Sequence, residues 1–369
     1  RGNGANHDPG GNRLMATANE KLQIAAIDHS FDGIRYQNQV VYKVIALLNR
    51  TDKDLFIQLT AALQQLPVSQ FTVERLDSLL ASVRQINAVA YQKIRHELSA
   101  ELAELVAYEQ GYQHQLFQNT LPVTFEVAAV PVAQVVSSAM ARPFQGRLLS
   151  EWIAGLEAEK AAKIRDAIRI GYVEGQTIPE MVTRLRGTKA KQYQDGILEI
   201  TRRNAETIVR TAVSHTANHT RQKFYEANDD LVKGVKWVAT LDSRTTPVCQ
   251  SRDGKVYPVD SGPRPPAHFG CRSSTTPVLK SFRELGIDLK EFPEGTRASL
   301  DGQVPANVTY NEWLKGKDAK FQDGVLGPTR GKLFREGMPV DRFVNKAGDR
   351  LTLDKLRERD AEYFRKAGL

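Results

Sequence analysis

From about Ala16 to Gln118 the chain contains few glycines or prolines, and this run constrains the fold more than any other feature of the sequence. Apolar residues recur at spacings of three and four, as at Leu76, Leu79, Leu80, Val83 and Ile86, which places them on one face of an α-helix. Pro67 interrupts the run after "LTAALQQL". The stretch from "SQFTVERLDSLL" to "GYQHQLF" then continues as one long amphipathic segment. Such helices serve either as the wall of a helical bundle or as a docking surface for partner helices.

A chain of 369 residues is expected to divide into two or three domains. Its 41% hydrophobic and 25% charged residues are enough to build a core without covalent staples. Two cysteines make no disulfide framework, so a reducing compartment is the expectation. The opening "RGNGANHDPGGNRL" lacks the apolar core of a secretory signal, and residues 1–14 read as a disordered or non-native extension ahead of an ordinary start at Met15. The apolar tract from Leu121 to Met140 is broken by Glu126, Pro131 and Gln134, which makes it a poor membrane span. Without a clean helical period, residues 121–141 read as an extended linker.

Helical character then returns. Trp152, Leu156, Ile164, Ile168 and Ile170 supply an apolar stripe closed by Gly175, and "TIPE" opens the next helix as a capping box between Thr177 and Glu180, with Pro179 in the first turn. A further helix is expected from about Ile200 to Asn228. After it the period changes: Val235, Trp237, Ala239 and Leu241 alternate with Lys236, Val238 and Thr240, the pattern of a half-buried strand, and "GKVYPV" offers a second. Beyond Pro277, glycines and prolines punctuate the chain too often for one compact core, so this part is expected to pack on its neighbours or to wrap a partner. The fold class is α+β and predominantly α-helical. The expected layout is a helical region over 15–120, the linker, a helical domain with a small antiparallel β element over 142–278, and an irregular extension of short helices and turns over 279–369.

Both cysteines fall within "CQSRDGKVYPVDSGPRPPAHFGCR", from Cys249 to Arg272. Cys249, His268 and Cys271 suit zinc, and Asp242, at the end of the first strand, could complete a tetrahedron. The same residues also admit a Cys249–Cys271 disulfide across a hairpin, a thiol nucleophile with His268 as base, or a structural turn with free thiols. His215 and His219 stand one helical turn apart and could chelate a metal, but Thr216 occupies the place where a metalloprotease needs its glutamate. No phosphate-binding glycine loop and no G-x-S-x-G motif is present, so nucleotide-dependent chemistry has no visible seat. The net charge of +8 favours contact with a polyanion. Arg184, Arg186, Lys189, Lys191, Arg202, Arg203, Arg210, Arg221 and Lys223, opposed in sequence only by Asp195, Glu199 and Glu206, are the candidates for meeting phosphates.

Three strings taken together carry a resemblance: "IVRTAVSHTANHTRQKFY", "VKWVATLDSRTTPVCQSRDGKVYP" and "PPAHFGCRSSTTPV". In this order they resemble the head-morphogenesis domain of the phage Mu F-like and SPP1-type minor head proteins, over roughly Arg142 to Val278. Arg210, Thr211, Asp242, Arg244, Thr245, Cys249, His268, Cys271 and Arg272 fall on that family's recurrent positions, and Trp237 marks its strand. Many members carry a further cysteine where Thr246 stands here, so a four-ligand metal site would depend on Asp242. The resemblance implies a virion component, structural and not enzymatic. Such a protein is assembled in the bacterial cytoplasm and held inside the phage capsid, where it meets the portal protein, the major capsid protein and packaged double-stranded DNA. It implies no membrane and no small-molecule substrate, and either no cofactor or one structural zinc. Some relatives are fused to toxin enzymes, notably ADP-ribosyltransferases, which leaves an enzyme delivered with the genome as the competing class.

Overall fold

A computed structural model describes residues 18–64, 73–121, 125–286 and 296–369. The proposed extension 1–14, the side chains of Leu76 and Leu79, and Pro67 lie outside the described residues. Two long helices, α1 (Ala18–Gln64) and α2 (Val73–Thr120), form an antiparallel hairpin. Its direction is fixed by Tyr112 to the Ala25 carbonyl (3.0 Å), His29 to Glu109 (2.8 Å) and Tyr36 to the Glu101 carbonyl (2.8 Å). Along the seam Val40, Val44 and Leu48 on α1 face Tyr91, Ile94, Leu98 and Leu102 on α2, all buried, while Leu80 and Val83 of the stripe named in the sequence bury in a second cluster with Leu55, Leu59 and Ile164. Each such leucine withdrawn from water contributes about 1.5–3 kcal/mol.

The tract expected to be an extended linker is corrected over its second half, where α3 spans Val132–Ala141. Pro131 sits at the N-cap, where a missing N–H costs nothing, and so initiates a helix where the sequence suggested a break. Val135 and Ala139 bury the inner face of α3. Next come α4 (Leu149–Val173), α5 (Ile178–Arg186) and α6 (Ile197–Ala227). The α5 capping box is present: the Glu180 carboxylate accepts from the Thr177 backbone N–H at 2.6 Å.

Helix α6 runs through the middle of the molecule and packs on α1, α2, α3, α4 and α5 and on one strand of the sheet. Enclosure on nearly every side explains why its second half is both polar and buried, with Thr211, Ser214, His215, Asn218, His219, Thr220, Arg221 and Gln222 all withdrawn from solvent. Their polar atoms must find protein partners, and these come from α6 itself, from α2 and α3, and from the loop over residues 258–273.

The sheet has three strands in the order β2-β1-β3, all antiparallel: β1 (Val232–Val238), β2 (Val256–Tyr257) and β3 (Ser274–Leu279). The first two follow the alternation in the sequence, although β1 ends at Val238, short of Leu241. Between them, α7 (Pro247–Arg252) carries Cys249. β3 pairs Pro277 with Val235 and lies at the sheet edge, where a proline is tolerated.

The C-terminal part has the compact core that the sequence argued against, and it packs on its neighbours as expected. A hairpin of β4 (Thr296–Ser299) and β5 (Gly302–Pro305) leads into α8 (Tyr310–Lys315), α9 (Ala319–Leu326), α10 (Pro328–Arg335), α11 (Leu353–Arg359) and α12 (Ala361–Lys366). These helices enclose a core of their own from Tyr310, Trp313, Leu314, Leu326, Leu333, Phe334, Met338, Phe343, Leu356 and Phe364, into which Leu241 inserts. The frequent breaks are caps and not a lack of structure. Thr309, Asp318 and Thr352 each accept a backbone N–H at a helix start, and Pro328 occupies a first turn.

Candidate metal centre

α6 positions the cluster through the loop that runs from β2 to β3. The Thr211 hydroxyl donates to the Thr207 carbonyl at 2.7 Å and accepts the Gly270 N–H at 3.0 Å, while Ser214 donates to the Cys271 carbonyl at 3.3 Å. Gln222 holds Arg264, which in turn donates to the Pro258 carbonyl at 2.6 Å. Gly270 takes a positive φ of 65°, a turn that glycine makes without strain. These contacts bring His268 and Cys271 against Cys249 on α7.

The three donors converge. Cys249 Sγ lies 3.7 Å from Cys271 Sγ and 3.4 Å from His268 Nε2, and the three ligand atoms lie within 4.8 Å of one another. Both thiols are free, and each residue is only 2% exposed. The other ring nitrogen, Nδ1, lies 2.8 Å from the Phe269 carbonyl, which can only accept, so Nδ1 carries a proton and Nε2 faces the sulfurs. Hydrogen bonding from Cys249, opposed by burial and aided by His268, pulls Cys271 below the usual thiol range. Donation to Cys271, together with burial, pushes Cys249 up. His268 is raised by its hydrogen bond to Cys271, against the effect of burial.

Asp242 is not part of this set. Arg272 grips its carboxylate with two bonds, at 2.6 and 2.9 Å, and the carboxylate also accepts from the Arg244 backbone N–H and the Thr245 hydroxyl, both at 3.0 Å. Burial opposes its ionisation, but Arg272 prevails and holds it below the usual carboxylate range. Asp242, Arg244, Thr245 and Arg272 thus form a bidentate clamp beside the thiols, and the expectation of Asp242 as a fourth ligand is corrected. His215 and His219 are likewise engaged elsewhere: His219 lies 2.7 Å from Ser138 and His215 lies 3.3 Å from the Ala139 carbonyl, both on α3. Among the described residues, Cys249, His268 and Cys271 form the one metal-type cluster.

The basic candidates separate. Arg221 is buried and pairs with Glu109 at 2.5 Å, so it is corrected from a surface contact to a core ion pair. Arg210 reaches Asn38 on α1 at 2.6 Å and Glu206 at 2.8 Å, Arg202 pairs with Asp52 and Glu199, Arg203 pairs with Glu199, and Lys223 with Glu226. Arg184 pairs with Glu174, and Arg186 stacks on Tyr193. Lys189 and Lys191 lie exposed on a short 3-10 turn, Lys189–Lys191.

Sequence reasoning missed Asp253. Its carboxylate accepts from the Ala239 N–H at 2.7 Å, the Tyr310 N–H at 2.7 Å and Arg297 at 3.1 Å, and Arg297 donates onward to the Ala239 carbonyl at 2.7 Å. This buried hub fastens the end of β1 to β4 and α8. The available signal was an aspartate before glycine in "RDGKVY", which reads equally as an ordinary turn. Trp237 is fully buried beneath the Arg252 guanidinium, 5.2 Å from its ring.

Fold and site together define an α-rich scaffold built around one enclosed helix, with its two free thiols buried. Residues 162–276, from within α4 to within β3, match the family described as Phage Mu protein F like protein. It is also 25% identical over 264 residues to an NAD(+)--arginine ADP-ribosyltransferase EFV of Enterococcus faecalis (strain ATCC 700802 / V583), a match covering 66% of this chain. The chain spans about half the length of that relative, 50%. No solved structure matches the chain.

Proposed function

We propose that the protein is a minor head protein of a tailed bacteriophage, a structural component of head assembly that works at or near the portal and ends inside the capsid. The observation that carries this reading is the Mu F-like stretch together with its geometry. The family-matched residues form the packed middle of the molecule, and Cys249 and Cys271, the atoms a thiol enzyme would present to substrate, are buried. The portal protein and the major capsid protein are the partners, with packaged double-stranded DNA as a third. Contact with DNA falls to Arg184, Arg186, Lys189 and Lys191, which cluster at the end of α5 and on the turn after it; Arg184 also pairs with the half-exposed Glu174, whereas the remaining candidates pair with carboxylates on α1, α2 and α6.

Two experiments test this reading. Co-expression with portal and major capsid proteins, followed by capture on a tagged portal, should retain the chain, and mass spectrometry of purified particles should detect it. Particles that lack it would overturn the assignment. With four phosphate contacts, DNA affinity should fall with a log–log salt slope of about −3 to −4. Absence of binding at low salt would remove DNA from the partners.

The likeness to a transferase favours a second reading, an enzyme delivered with the genome. Incubation with NAD+ and an arginine-containing acceptor decides between the two. No transfer is expected, and transfer that saturates with acceptor would establish the enzyme.

A further inference from the structure

We propose that Cys249, Cys271 and His268 Nε2 bind one zinc ion, with water in the fourth position. Two sulfurs each ~2.3 Å from a tetrahedral zinc stand about 3.8 Å apart, and a sulfur and an imidazole nitrogen around the same ion stand about 3.5 Å apart. The cluster shows 3.7 Å and 3.4 Å. A disulfide instead requires the sulfurs at about 2.05 Å.

The surroundings of His268 supply an independent sign. Ligating histidines commonly donate their second ring N–H to a carboxylate or a backbone carbonyl, which orients the ring and fixes the tautomer. Nδ1 of His268 does this with the Phe269 carbonyl, 2.8 Å away, leaving Nε2 directed at the sulfurs. The loop carrying His268 and Cys271 is in turn pinned to α6 by Thr211 and Ser214, so the donors are held before any ion arrives.

Asp242 cannot close the coordination sphere while Arg272 holds both its oxygens. The Thr246 hydroxyl, 2.8 Å from Nε2, stands where it can hydrogen-bond a water bound at the fourth position. The ion would join α7 to the strand entry at β3, closing the loop between Cys249 and Cys271. Deprotonated sulfur is the ligating form, so binding releases protons.

The test uses the full chain purified under reducing conditions, with zinc as the probe. Elemental analysis after equilibrium dialysis should give one zinc per chain. Replacement by cobalt(II) should give the visible bands of a tetrahedral ion and a sulfur-to-cobalt charge-transfer band in the near ultraviolet. Cys249→Ser and Cys271→Ser should each lose the metal, His268→Ala should weaken it, and Asp242→Asn should keep it. The cobalt spectrum reads thiolate ligation in the unaltered chain, so the proposal stays testable if a cysteine variant fails to fold. Absence of zinc at saturating concentration would overturn it. So would zinc retained by both serine variants, a cobalt spectrum without the charge-transfer band, or a Cys249–Cys271 disulfide present under reduction.

Discussion

Asp253 and Glu109 show how single carboxylates hold distant segments together. Glu109 is enclosed by Arg221, His29 at 2.8 Å and Gln113 at 3.0 Å. Burial alone would raise its pKa, but the Arg221 charge and the hydrogen bonds from His29 and Arg221 reverse that and bring it down to about 2. A depressed carboxylate contributes its full stability above the unfolded value near 4.5 and loses it as pH falls toward 2. Acid titration followed by circular dichroism should therefore show a loss of stability across that window, and Glu109→Gln should flatten it. Because the substitution leaves Arg221 buried and unpaired, it should also cost about 3–5 kcal/mol in denaturant unfolding at neutral pH. Asp253→Asn should cost a comparable amount, about 3–5 kcal/mol, since Arg297 is as deeply enclosed. Arg210 and Arg221 were weighed against neighbours in sequence, while their partners Asn38 and Glu109 lie 172 and 112 positions away; Asp242 was grouped with Cys271, but its carboxylate pairs with Arg272, the next residue along.

At the level of elements, local signals were sufficient wherever a segment's environment is one-sided. The α1–α2 hairpin, the Thr177–Glu180 start of α5, α6 and the first two strands follow from period and caps. Leu102→Ala, at a fully buried seam position, should cost about 2–5 kcal/mol in urea unfolding. A seam that did not hold the two helices together would show little change. Signals failed where one residue type has opposite meanings by position. Pro131 starts α3 instead of ending order, and Pro277 sits in β3 because that strand is at an edge. The C-terminal helices were legible as short segments, but their shared core was not, because Tyr310, Trp313, Phe343 and Phe364 come from separate elements and no period links them.

For the whole molecule, α1 touches material from far along the chain. Gln23 donates to the Ala306 carbonyl at 2.7 Å, Asn19 accepts the Leu279 N–H at 2.7 Å, and Lys236 donates to Gln23 at 2.8 Å. α1 is thus tied to β1, to the end of β3 and to the segment after β5, and thermal unfolding should be a single cooperative event, with calorimetric and van't Hoff enthalpies in agreement. Two separated transitions would mean that the C-terminal helices melt independently. Among the described residues no helix is long and apolar enough to cross a membrane, in line with the broken tract around Pro131.

The Asp253 hub bears on how this gene should be cut for expression. Likeness to the Mu F family stops at residue 276, but the arginine that neutralises Asp253 and the amide that donates to it lie at 297 and 310. A fragment trimmed to the recognisable stretch would keep the anion and discard its counter-charge. The stretch that matches the family is smaller than the network that fastens it.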